Sequence, residues 1–119
     1  MRVSLSLGSS LAKYLFKKKF LSKERFPLVL MLEVTHLCNL ACEGCGRIRE
    51  YKETMREMLS VEECIQAVDE CPAPVVTVTG GEPLMHPEID KIISAIIEKK
   101  RHIYLCTNGI LLADTIKKL

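Results

Sequence analysis

Hydrophobic positions fall into three repeating blocks after residue 27. Residues 28–34, LVLMLEV, form a nearly continuous apolar run. A run of that length predicts a strand buried on both faces. Val61, Cys64, Ile65 and Val68 then recur at i, i+3, i+4 and i+7, the stripe of an amphipathic helix. Ser60 stands before it with Glu63 three residues on, the spacing of a capping box. CPAP, residues 71–74, ends the helix, because proline disfavours a helical residue before it. VVTVT, residues 75–79, is β-branched throughout and predicts a second strand. Ile89, Ile92, Ile93, Ile96 and Ile97 mark the next helix. Pro87 is expected in its first turn, where a missing N–H costs nothing, with His86 at its N-cap. HIYLCTN, residues 102–108, predicts a third strand, and residues 110–119 begin a further helix.

Strand and helix therefore alternate three times. That order predicts an α/β fold with parallel strands joined by right-handed crossovers. Three strands cannot close a barrel, so residues 28–119 are expected to be the first part of a larger α/β domain. Residues 1–27 read as an extension. Leu11, Tyr14 and Leu15 lie near one helical face, with Lys13, Lys17 and Lys18 around it. This is a short basic amphipathic helix, read either as a packing helix with a solvated lysine face or as an approach surface for an anionic membrane.

Composition narrows the function classes. The 119 residues carry a net charge of +2, three Phe, three Tyr and no Trp, so neither a nucleic-acid partner nor a base-stacking platform is expected. No apolar run is long enough for a membrane-spanning helix, and the N-terminus lacks the pattern of a secretory signal. The expected location is the cytoplasm, with possible contact at the membrane's cytoplasmic face.

Candidate chemistry gathers where the predicted strands end. CNLACEGC, residues 38–45, holds three of the six cysteines, Cys38, Cys42 and Cys45. Structural zinc takes four closed ligands, often as two CxxC pairs. A cubane [4Fe–4S] cluster is bound through thiolates on its irons. Three thiolates would hold three irons and leave the fourth open to another ligand. GGEP follows the second strand at residues 80–83, and TNG ends the third at residues 107–109. Taken singly, a GGE turn or an Asn-Gly turn is ordinary strand punctuation.

The CxxxCxxC loop after the first strand, GGEP after the second and TNG after the third together resemble the radical S-adenosylmethionine superfamily. That resemblance implies a partial (β/α)6 barrel. It implies cluster ligation by Cys38, Cys42 and Cys45, and S-adenosylmethionine bound near Gly80, Gly81, Glu82 and Asn108. Glu82 is expected to meet the methionyl ammonium, and an external electron donor is implied. FPLVLMLEVTHLCNLACEGCGRI, LSVEECIQAVDECPAPVV, GGEPLMHPEI and YLCTNGILL are similar in addition to adenosylhopene synthase of hopanoid biosynthesis. In that family the 5′-deoxyadenosyl radical adds to the alkene of hopene. The alternatives are another radical reaction, in peptide or cofactor maturation, and a zinc-binding module without catalysis.

Gly44 stands where many superfamily loops carry an aromatic residue. The resemblance implies Cys106 as hydrogen-atom donor, the other reading being a core cysteine. Cys64 is expected in the core, and Cys71 has no assigned function. Glu33 either lines the substrate cavity or bonds neighbouring backbone. His36 and His86 flank the motifs, and His86 is assigned no catalytic role.

Overall fold

The computed structural model describes residues 4–20, 25–46 and 52–117. Helix α1 (Leu5–Phe20) is followed by strand β1 (Val29–Thr35), helix α2 (Val61–Glu70) and strand β2 (Val75–Gly80). A short 3-10 turn (Pro83–Met85), helix α3 (Ile89–Glu98), strand β3 (His102–Leu105) and helix α4 (Leu112–Ile116) complete the order. The strands form one parallel sheet in the order β1-β2-β3. Val29 faces Val75 and Val75 faces His102, so the three strands start level. The β1–β2 register slips between Glu33 and Thr35, which brings Thr35 opposite Gly80.

Local sequence accounts for the helices. Ser60 and Glu63 make the capping box, each side chain bonding the other residue's backbone N–H. Cys64 and Val68 are buried on the inner face of α2, and Ile89, Ile92, Ile93 and Ile96 on that of α3. Both helices cover one face of the sheet, where Leu32, Val34, Val76 and Val78 complete the core. Burial pushes the Cys64 thiol up to about 11, with the charge of Glu63 adding to the shift. Its reading as a core residue is met.

Several boundaries differ from the sequence expectation. The apolar run of β1 is not buried on both faces: Leu32 and Val34 are covered, whereas Val29 and Met31 remain exposed, Met31 at 68 %. Val29, Met31 and Glu33 share that open face, where Met31 is level with Thr77 and Tyr104. β3 ends at Leu105, although the Cys106 N–H still reaches the Val78 carbonyl at 2.9 Å. Pro87 lies in the turn before α3, whose N-cap is Glu88, while Pro83 begins the 3-10 turn. Ile97 falls off the α3 stripe and is exposed.

The exit of α3 is a Schellman turn: Arg101 N–H bonds the Ile96 carbonyl and Lys100 N–H bonds that of Ile97. Lys100 takes the left-handed position with φ 57°, where glycine is the usual occupant. No residue of α1 is buried, so that helix adds nothing to the core. No described helix is long and apolar enough to cross a membrane.

Candidate cofactor site at the strand carboxyl ends

Three loops meet beyond the carboxyl ends of the strands. The first leaves β1 through Thr35, whose hydroxyl accepts from the Leu37 N–H at 3.1 Å. Its outer edge is held by residues 57–59: His36 N–H bonds the Glu57 carbonyl and Leu59 N–H that of Val34. Within the loop, the Leu40 N–H points at the Cys38 sulfur at 3.4 Å, and Cys45 N–H bonds the Cys42 carbonyl. Gly44 makes the reversal between these cysteines at φ 79°. Cys38 and Cys45 are half-buried, Cys42 is exposed, and none is in a disulfide.

The second loop presses against the first through backbone alone. Gly81 N–H bonds the Thr35 carbonyl and Glu82 N–H the Leu37 carbonyl, both at 2.7 Å. A Cβ on Gly80 would collide with the Thr35 carbonyl, and one on Gly81 with those of Leu37 and His36. The two glycines therefore serve close approach, and the approaching group is the cysteine loop itself.

Glu82 joins the second loop to the third. It is 1 % exposed. Oε1 accepts from the Leu84 N–H at 3.1 Å and the Thr107 hydroxyl at 2.7 Å, and Oε2 from the Asn108 N–H at 2.8 Å. A buried carboxylate without donors would be strongly unfavourable, and these three bonds offset its lost hydration. Asn108 carries the link onward, its Nδ2 donating to Asn39 Oδ1 at 2.8 Å inside the cysteine loop. Its own Oδ1 accepts from the Ile110 N–H. One hydrogen-bonded path thus runs from GGEP through TNG to CNLACEGC. Asn39 and Thr107 lie inside the motifs read from the sequence but had no role assigned there, because nothing local marks which distant residue each will bond: 69 positions away for Asn39 and 25 for Thr107.

Cys106 is exposed, not part of the core. Its neighbour Leu105 packs on the helix-covered side, as does Ile103, so Tyr104 and Cys106 turn toward the open face. Glu33 stands on that face, its carboxylate 4.0 Å from His36 Nε2. Both border a groove of about 320 Å³ that Glu57, Met58, Leu59 and Glu63 complete. The ring of His86 is a structural pin instead of a helix cap. Nδ1 accepts from the Glu88 N–H, so Nε2 carries the proton it donates to the Leu59 carbonyl at 2.8 Å.

The radical SAM superfamily model matches residues 32–119. The chain belongs to that superfamily. Similar proteins include GTP 3′,8-cyclase 1 of Mycobacterium tuberculosis, 35 % identical over 100 residues that cover 76 % of this chain and 28 % of the relative. GTP 3′,8-cyclase of Aquifex aeolicus is 34 % identical over 107 residues, covering 83 % of this chain and 33 % of the relative. That of Clostridium perfringens is 34 % identical over 97 residues, covering 76 % and 30 %. The chain thus spans about a third of the length of the curated relatives it matches. No solved structure matches. These relatives are named GTP 3′,8-cyclases, whereas the sequence reading put adenosylhopene synthase first.

Radical SAM enzymes use a [4Fe–4S] cluster and S-adenosylmethionine, and the α/β sheet is the N-terminal part of their partial barrel. The donor set here suits such a cluster: three unpaired thiols on one loop, one already accepting an N–H at sulfur. Among the described residues no three Cys, His, Asp or Glu side chains converge as a metal site, so the thiols share a loop but not a common point.

Proposed function

We propose that this chain is the cofactor-binding portion of a radical SAM enzyme, with Cys38, Cys42 and Cys45 as cluster ligands. Gly80, Gly81, Glu82 and Asn108 form the frame beside which S-adenosylmethionine binds. The observation that carries the reading is the hydrogen-bonded path Glu82–Asn108–Asn39, which ties the three motifs into one unit. When bound and reduced by an external donor, the cluster supplies the electron that splits S-adenosylmethionine into methionine and a 5′-deoxyadenosyl radical. Glu82 is chiefly a positioning residue in this account. With the side chain 1 % exposed, its part toward the methionyl ammonium is to hold Asn108, whose N–H its Oε2 accepts, and through it the cysteine loop. The test is anaerobic reconstitution of the full-length protein, with about four iron and four sulfide per chain expected. Reductant-dependent 5′-deoxyadenosine should follow. Colourless protein holding stoichiometric zinc would contradict this and support a zinc-binding module.

For the substrate, the relatives favour cofactor maturation, with GTP as the compound to try first. A second reading, radical addition to hopene, is supported by the open face of the sheet. Val29, Met31 and Tyr104 are exposed there, Glu33 stands beside them, and no strand contains Lys or Arg. A triphosphate needs cations, whereas an uncharged hydrocarbon does not. In this reading Cys106 closes the reaction: its S–H bond breaks, a C–H bond forms at the substrate radical, and the thiyl left on sulfur takes an electron and a proton from the external reductant. Incubating the full-length enzyme with GTP or hopene separates the two, by a cyclised nucleotide or by adenosylhopane. With hopene, Cys106→Ala should keep 5′-deoxyadenosyl formation and lose the single reduced product. An unchanged rate and stereoisomer would remove Cys106 from the mechanism.

A further inference from the structure

Helix α1 has two unlike faces. Leu7, Leu11 and Tyr14 are partly covered on one of them. The Tyr14 ring stands edge-on to Phe26 at 5.8 Å, and its hydroxyl donates to the Pro27 carbonyl at 2.8 Å. Burial raises the Tyr14 pKa, with Cys71 adding to the rise and Arg101 opposing it. Phe26 and Pro27 lead into β1, Cys71 into β2 and Arg101 into β3. The helix therefore lies at the amino ends of the strands, opposite the cysteine loop.

The other face is bare. Leu5, Ser9, Ala12, Phe16 and Phe20 follow one another at helical spacing, and all are exposed. Leu5 is 92 %, Phe16 67 % and Phe20 73 % exposed. The two Phe rings pair at 4.5 Å, and with Lys19 they line a shallow hollow of about 460 Å³. Lys13 and Lys17 flank this stripe on one side and Lys19 on the other. The sequence contains no acidic residue before Glu24.

We propose that this face of α1 docks the protein onto an anionic lipid bilayer. Leu5, Phe16 and Phe20 enter the boundary between headgroups and acyl chains, and Lys13, Lys17 and Lys19 meet lipid phosphates. Lysine on both flanks of an apolar stripe matches a surface that is apolar beneath and anionic all around. A second copy of the chain fits poorly, since pairing two such faces would bring like charges together. The inference is independent of the proposed chemistry, because the helix and the cofactor site lie at opposite ends of the sheet.

The test is sedimentation of the full-length protein with vesicles of phosphatidylcholine, alone or mixed with phosphatidylglycerol. Binding to the mixed vesicles should be roughly tenfold stronger or more, and should weaken as salt is added. The double variant Phe16→Ser/Phe20→Ser and the triple variant Lys13→Glu/Lys17→Glu/Lys19→Glu should each lose about that tenfold. Both should keep full S-adenosylmethionine cleavage in solution. In a Phe20→Trp variant, the added emission should move to the blue only when anionic vesicles are present. Equal binding to both vesicle types, no binding, or indifference to the variants would overturn the proposal. So would blue emission before any vesicle is added, since another part of the protein would then cover the stripe.

Discussion

The helix-covered face of the sheet and the carboxyl-end junction are held together by different forces. Behind the sheet, Ile92, Ile96, Val68, Val76 and Val78 are sealed from water, and their cohesion follows the apolar area buried. At the junction, polar backbone, one carboxylate and two asparagine side chains meet through directional bonds. Burial is forgiving of exact position, whereas a hydrogen bond weakens steeply when its geometry fails. The difference teaches that the apolar core and the junction of the three motifs are held by different residues, so that substitutions can separate them.

The largest expected effect comes from the packed side. Ile92→Ala should lower unfolding free energy by about 4 kcal/mol, because it opens a cavity between α3 and the sheet. Denaturant unfolding of the full-length protein measures this, and the fraction that stays folded should still cleave S-adenosylmethionine. Gly81→Ala is the converse. Its methyl would push the cysteine loop away, so cleavage should fall by roughly a hundredfold or more, with a stability cost of only about 1–3 kcal/mol. Comparing steady-state rates with melting curves would expose any simple unfolding.

Alkaline pH probes the packed side again. The Cys64 pKa is raised on folding, so its burial favours the native state below the ordinary thiol pKa of 9.0. That contribution is lost as pH rises from 9.0 through about 11. The melting temperature should fall over this window, and Cys64→Ala should flatten the fall while costing stability at neutral pH. A smaller effect of opposite sign belongs to Lys100→Gly, which relieves the left-handed lysine at the α3 exit. It should stabilise by about 1 kcal/mol without changing cleavage.

Much of the packed side was legible in the sequence because it depends on periodicity. The Ser60 box, the Cys64 and Val68 stripe and most of the isoleucine stripe of α3 are local patterns. Which face of β1 is covered was not legible, since Val29 and Met31 are as apolar as Leu30 and Leu32. The reach of β3 was misjudged because CTN continues an extended pattern after Leu105 without remaining in the ladder. Pro87 looked like a helix start, but the preceding Pro83 turn delays α3 to Ile89. At the junction, the motifs themselves could be read, but the partners of Glu82 could not. Thr107 and Asn108 are brought to it by tertiary folding across 25 and 26 residues.

The central claim is that the Glu82 carboxylate positions the three motifs for S-adenosylmethionine. Glu82→Gln tests it most directly, in the reconstituted full-length enzyme. The amide can still accept from Thr107 and Leu84, but its NH2 would face the Asn108 N–H, donor against donor. The measurement is 5′-deoxyadenosine formation as S-adenosylmethionine is varied, with iron content and melting temperature recorded on the same preparation. Iron content should stay near that of the parent and the melting temperature should drop only modestly, while catalytic efficiency falls roughly tenfold to a hundredfold, the consequence of losing one charged hydrogen bond and leaving a donor unpaired. Unchanged efficiency, or a loss matched by loss of folded protein, would contradict the account.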